Sequence, residues 1–168
     1  NCPWRLIKKI NRMKNSNIHA GQAIKVVKGI DSDNMEIVLK VDKSEFTLTA
    51  YLNGYILKKY PVGIGRDDLT PETTFEVFER IKHPTWQKPG ESIPYGDPRN
   101  ILGDYYIKFK HKMYNGFGLH GIKKGSADPA DPTSIQKAES AGCIRMFNKD
   151  VAEIYVITPR GSKVIITK

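Results

Sequence analysis

Two short stretches hold the residues able to do covalent chemistry. Ser140-Ala141-Gly142-Cys143-Ile144-Arg145-Met146 sets a cysteine behind two small residues, and Gly116-Phe117-Gly118-Leu119-His120-Gly121 ends on a His-Gly pair. A thiol with its ordinary pKa near about 8.5 is only a few per cent thiolate at neutral pH, so a nucleophilic cysteine needs a base for its proton or a cation beside its anion. His120 is the candidate base and Arg145 the candidate cation. Ala141 and Gly142 carry almost no side chain, so successive backbone N–H groups can converge on one point, as an oxyanion hole for acyl transfer requires. Ser140 is placed to hydrogen-bond within the turn or to substrate. The alternative for Cys143, a buried structural cysteine, leaves the His-Gly partner and the small pair without a purpose.

These groups need a frame, and composition bounds it. A chain of 168 residues that is 39% hydrophobic can bury one main core with a small appendage beside it. The excess of 27 Lys+Arg over 18 Asp+Glu gives +9, which favours anionic polymers such as nucleic acid, acidic lipid or an anionic cell wall. The charge is spread along the chain without an RNP-like or zinc-finger pattern, and Lys8-Lys9 with Arg12 and Lys14 reads as a solvated basic helix face. No run approaches the roughly 18 to 20 apolar residues of a membrane span, and the first residues carry no signal-like hydrophobic region. Cys2 and Cys143 lie at opposite ends, so a free thiol at Cys143 is expected. Four histidines without paired spacing predict neither a zinc site nor another metal.

Most of the chain reads as strands. Leu6, Ile7 and Ile10 predict a short helix over 5–10, and residues 18–26 predict a segment ending as a strand. A turn-rich boundary follows at Gly29–Asn34, after which the apolar period becomes two through Ile37, Leu39 and Val41, and then Phe46, Leu48, Ala50 and Leu52. Asn53-Gly54 predicts a hairpin, with Tyr55–Val62 as the returning strand. Gly63-Ile64-Gly65 fails as a phosphate loop, because no Gly-Lys-Ser/Thr follows and the next element reads as a strand. Another strand starts in Thr70–Phe75 and runs through Val77, and residues 83–100 form a long Pro- and Gly-rich loop. Tyr105–Lys110 and Phe117–His120 predict strands, and His111 reads as a solvated turn residue. Ser134 predicts the N-cap of a short helix over 135–139 ahead of the cysteine, Asn148 the N-cap of a helix running to about Ile157, and Ser162–Thr167 a last strand that closes the sheet.

His120-Gly121, with nineteen residues between His120 and Ser140, followed by Ser140-x-Gly-Cys-Ile-Arg-Met resembles the catalytic signature of the L,D-transpeptidases (YkuD-like domains) of bacterial cell walls. Many members have histidine at the position of Ala141, and Thr73 stands where the family's Thr-Pro-x-Gly-x-Phe has glycine. The resemblance implies a mainly β, L,D-transpeptidase-type β-sandwich over 44–168, with a short helix before and a helix after the cysteine, preceded by a linker and first strand over 29–43. Residues 1–28 are similar to the second half of a LysM module, a small α+β glycan binder, and read equally as a packed remnant.

The resemblance further implies peptidoglycan L,D-transpeptidation. Cys143 would be the nucleophile and His120 its base, with Gly142, Ala141 and the Cys143 amide around the oxyanion. Substrate contacts would come from Arg145, Gly121 and the loop residues Trp86, Tyr95 and Arg99. Arg145 reads equally as a partner in an internal ion pair, and Trp86 and Tyr95 as loop packing. No cofactor is expected. The implied partners are peptidoglycan stem peptides and glycan strands, not nucleic acid. The implied setting is a monomer in the bacterial envelope outside the cytoplasmic membrane. L,D-carboxypeptidase activity and noncatalytic peptidoglycan binding are the alternatives.

Overall fold

The computed structural model describes residues 7–8, 11–24, 35–122 and 134–168, and the chain divides into two units, Asn1–Glu36 and Ile37–Lys168. In the first unit Ile7 and Lys8 are helical, and Asn11 closes that turn by donating from both its backbone N–H and its Nδ2 to the Ile7 carbonyl, at 3.2 and 2.8 Å. Among the described residues, 18–24 carry no strand. The rest of the expected helix, the end of the expected strand and the Gly29–Asn34 boundary lie outside the described residues.

The second unit is mainly β, as the period-two pattern predicts. Its strands are β1 (Ile37–Asp42), β2 (Thr47–Leu52), β3 (Tyr55–Pro61), β4 (Ile64–Gly65), β5 (Thr74–Lys82), β6 (Trp86–Lys88), β7 (Glu91–Ile93), β8 (Tyr105–Lys110), β9 (Gly118–His120), β10 (Ala138–Ser140), β11 (Ile144–Arg145) and β12 (Lys163–Thr167). The described α-helix of this unit, α1, spans Asn148–Ile157. Eight strands form a mixed sheet in the order β11-β9-β8-β5-β12-β1-β2-β3, while β4 pairs with β10 and β6 with β7.

The sheet curls. Gly63, just past edge strand β3, exchanges two 2.9 Å backbone hydrogen bonds with Arg145 of β11 at the opposite edge. This bridge gives the β11 edge a partner for groups that would otherwise stand open. Register lines up the alternating apolar residues: Val41 lies against Leu48 and Ile166, Leu39 against Ala50 and Val164, and Ile107 against Leu119. All eight are buried, each large one contributing roughly 1.5–3 kcal/mol. Helix α1 rests on β8 and β9 through Val151 and Ile154, and Arg80 of β5 donates to the carbonyls of Tyr155 and Thr158 at 2.8 and 3.0 Å, placing a cation at the helix's negative end.

Several local expectations are corrected. The C-terminal strand β12 does not close the sheet; it fills its middle, parallel to β1 and antiparallel to β5. The short helix expected over 135–139 is a turn with Gln136 at φ +63 followed by strand β10, because Lys137 and Gln136 bond to the β3–β4 segment instead of to their own turn. Asn148 does not cap α1: Phe147 occupies the cap position and the Asn148 amide is used elsewhere. His111 is no solvated turn residue. Its ring lies against Phe75 and Tyr114, and it hydrogen-bonds Thr73 Oγ1 at 3.2 Å, so the residue that replaces the family's glycine has its own partner.

Candidate active site

Cys143 directly precedes β11. Parallel pairing sets Ile144 against Leu119 and Arg145 against His120, and β8 in turn sets Tyr106 against His120. Strand alternation then divides the residues: Ile144, Leu119 and Ile107 enter the core, and Cys143, Arg145, Gly118, His120 and Tyr106 project to the other side. Cys143 and His120 are therefore diagonal neighbours on one face, a relation in which Cα atoms lie about 7–8 Å apart and longer side chains meet.

The nucleophile turn is pinned from both ends. Ser140 Oγ accepts from the Gly142 N–H at 3.0 Å and donates to the Cys143 carbonyl at 2.6 Å. Thr70, fully buried, accepts from the Gly65 N–H at 2.7 Å and donates to the Gly142 carbonyl at 2.9 Å. Gly142 sits at φ +119, where a Cβ would lie 2.7 Å from the Phe117 ring. Its N–H is turned to Ser140 Oγ, and its φ serves the turn's conformation. The Gly-x-Gly that failed as a phosphate loop has its explanation here as well: a Cβ on Gly65 would stand 2.9 Å from Gly142 Cα. Thr70→Val keeps the shape but orphans a buried donor and a buried acceptor; we expect stability lower by about 2–4 kcal/mol in urea denaturation.

The electrostatics describe a neutral pair. His120 is buried, 3% exposed, and its Nδ1 lies 2.6 Å from the Gly121 carbonyl, which can only accept. The proton is thus on Nδ1 and the lone pair on Nε2. Burial lowers its pKa to about 4, the Gly121 bond opposing and the positive Arg145 assisting. The Cys143 thiol is free and partly exposed, and its S–H donates to the Gly116 carbonyl at 3.6 Å. Burial raises its pKa, against opposing pulls from the Gly118 N–H and Arg145. The expected cation is present, but in this state it does not outweigh desolvation. Tyr106 fits beside the sulfur because Gly118 has no Cβ to meet its ring; burial first, and the thiolate second, push its phenol upward, so it stays protonated.

The remaining sequence candidates are placed as follows. Gly121 is buried behind His120, and Ala141 is exposed at the turn. Arg145 is half-buried beside His120. The three loop residues are engaged within the 83–100 segment or, for Tyr95, also with Asp104 just past it. Trp86 begins the β6–β7 hairpin with Lys88 over its ring, Tyr95 stacks on His83 and donates to Asp104 at 2.8 Å, and Arg99 pairs with Asp97 and Glu91. Asn100 ties the segment down, donating to the carbonyls of Pro84 and Ile93. The loop thus carries a hairpin of its own and is not structureless. Among the described residues, no three His, Cys, Asp or Glu side chains cluster to hold a metal ion, and no helix is long and apolar enough to cross a membrane.

The family model for the YkuD L,D-transpeptidase catalytic domain matches residues 36–166. This chain belongs to the L,D-transpeptidase family. The match begins ahead of residue 44, where the signature-based resemblance starts, and it takes in β1, which register places inside the sheet. The chain is 34% identical over 151 residues to YkuD of Bacillus subtilis, a protein of the same family, covering 89% of this chain and 77% of that one. With YqjB of the same organism it shares 35% over 130 residues, 76% of this chain and 69% of the relative. Among solved structures, an L,D-transpeptidase from Mycobacterium smegmatis superposes with a TM-score of 0.62 at 21% identity, over 80% of this chain and 59% of that one. L,D-transpeptidase 3 from Mycobacterium tuberculosis, in complex with a faropenem-derived adduct, gives 0.62 at 19%, over 80% and 61%. At that identity the two structures speak for the fold, and the chain spans about three-fifths of their length.

Residues that sequence reasoning passed over are those acting through the backbone. Thr70 and Gly65 stand about seventy residues from the turn they brace, and nothing in local spacing connects them.

Proposed function

We propose that the protein is a cysteine-dependent peptidoglycan L,D-transpeptidase. Cys143 attacks the carbonyl of the third stem residue, its proton passing to His120 Nε2 as the C–S bond forms. Collapse of the tetrahedral intermediate breaks the bond to the terminal D-Ala, whose amine takes the proton, and leaves a thioester. The amine of a neighbouring stem then attacks that thioester, deprotonated by His120, and forms a 3→3 cross-link while the thiol is regenerated. Water in place of the amine makes the same site an L,D-carboxypeptidase. The Cys143 N–H is the oxyanion donor in this reading, with Ala141 beside it, and Arg145 holds a stem-peptide carboxylate. Trp86, Tyr95 and Arg99 act through the shape of their loop. The +9 charge suits an anionic wall, and a peptidoglycan substrate places the protein outside the cytoplasmic membrane.

The observation that carries this reading is the shared face of Cys143 and His120 on paired strands, with the imidazole proton already held on Nδ1. Incubation with disaccharide-tetrapeptide, followed by mass spectrometry, should show loss of D-Ala, a thioester on Cys143 and a cross-linked dimer. Free tripeptide without dimer would assign the carboxypeptidase. Since a structural neighbour carries a faropenem-derived adduct, faropenem should also add covalently to Cys143. A folded protein that gives none of these products would remove the enzymatic reading.

A further inference from the structure

The chain runs on past the end of β9 at His120, but the backbone beside it does not. The backbone beside it ends with the Met146 N–H donating to the His120 carbonyl at 3.0 Å, after which the chain turns into α1. Two residues beyond β9 comes Ile122, and there a side chain stands in for a strand. Asn148 Oδ1 accepts from the Ile122 N–H at 3.1 Å, and Asn148 Nδ2 donates to the Ile122 carbonyl at 2.5 Å. One acceptor and one donor on the same residue is the pattern that a paired strand would supply.

The amide sits in a slot made for it. A Cβ on Gly103 would stand 2.5 Å from Asn148 Oδ1, and a Cβ on Gly121 would overlap the same atom. Gly121 has no left-handed φ to explain its lack of a side chain, so the space taken by Asn148 is what requires glycine there.

The consequence lies in one peptide plane. The Ile122 N–H that Asn148 holds and the Gly121 carbonyl that His120 Nδ1 reaches belong to the same planar peptide group. Fixing its N–H fixes the direction of its C=O, and two hydrogen bonds on one amide polarise each other.

We propose that Asn148 is a positioning residue for His120: it orients the Gly121–Ile122 peptide so that its carbonyl keeps the imidazole proton on Nδ1 and the lone pair on Nε2, toward the nucleophile's face. The structural part stands on geometry alone, and the catalytic consequence rests on the acyl-transfer reading above. Asn148 touches neither substrate nor sulfur in this role.

The test uses Asn148→Ala and Asn148→Leu, the second filling the volume without either hydrogen bond, with three readouts. In ¹⁵N NMR of the histidine rings, wild-type His120 should show a single Nδ1–H tautomer and both variants a mixture. Acylation of Cys143 by faropenem should slow by about 10- to 100-fold in its maximal rate, with half-saturation little changed. Gly121→Ala should lower the melting temperature, and adding Asn148→Ala should restore part of the loss, because the overlapping atom is gone. An unchanged tautomer in both Asn148 variants, or a double variant no more stable than Gly121→Ala, overturns the proposal. A wild-type protein that faropenem fails to acylate counts against the acyl-transfer reading instead, and the tautomer still decides the role of Asn148.

Discussion

Cys143→Ala is expected to leave a folded protein in which D-Ala release falls by roughly 10⁴-fold or more, with no covalent adduct of any kind. The hydroxyl of the turn, Ser140 Oγ, already accepts from Gly142 and donates to the Cys143 carbonyl. The turn owes its shape to those bonds and to Thr70, none of which involves the sulfur, so thermal unfolding should move little, by about 1 kcal/mol or less. Intact-mass analysis after incubation with tetrapeptide and with faropenem reads the loss, and a melting curve reads the fold. An alanine variant that still releases D-Ala at the wild-type rate would show that the sulfur is incidental and turn attention to a binding role.

His120→Gln should reduce acylation by about 10²- to 10⁴-fold, the range for a positioned general base, and it should also change how stability depends on pH. The imidazole pKa is about 4 in the folded protein against 6.5 unperturbed, so between those values the unfolded chain binds a proton that the native state refuses. Stability is therefore full above about pH 6.5 and declines as pH falls toward 4, by roughly 3 kcal/mol from this residue. Denaturant titrations of wild type and His120→Gln should keep a constant difference above pH 7 and lose that amount, from the wild type alone, by pH 4. The thiol gives a companion result. With its pKa raised by burial and the histidine neutral, wild-type alkylation by iodoacetamide should climb through and beyond pH 9, without the low-pH plateau of a thiolate–imidazolium pair. A difference in stability that stays the same at pH 4.5 and pH 7.5 would show that the imidazole is not desolvated as described.

The amino-acid sequence alone determined the components and most of the strands. Alternation in Ile37–Val41 and Leu48–Leu52, and Asn53-Gly54 between two strands, are local signals, because side-chain period and turn dihedrals are set by neighbouring residues. The candidate nucleophile and base were legible as candidates for the same reason: thiol, imidazole and small residues announce their chemistry by type. Tertiary structure decided what type cannot carry. Strand β12 enters the middle of the sheet because Leu39 and Phe75 flank Val164 there, a pairing between residues far apart in the chain. Residues 135–139 contain good helix formers, yet their backbone bonds are taken by the β3–β4 segment, and a weak propensity yields to them. The cation expected to activate the thiol is in place, but the sign of the pKa shift depends on desolvation, which only packing sets. Thr70 and Asn148 work through backbone carbonyls and amides that every residue possesses, so their partners at Gly142 and Ile122 leave no mark in the residue types at those positions.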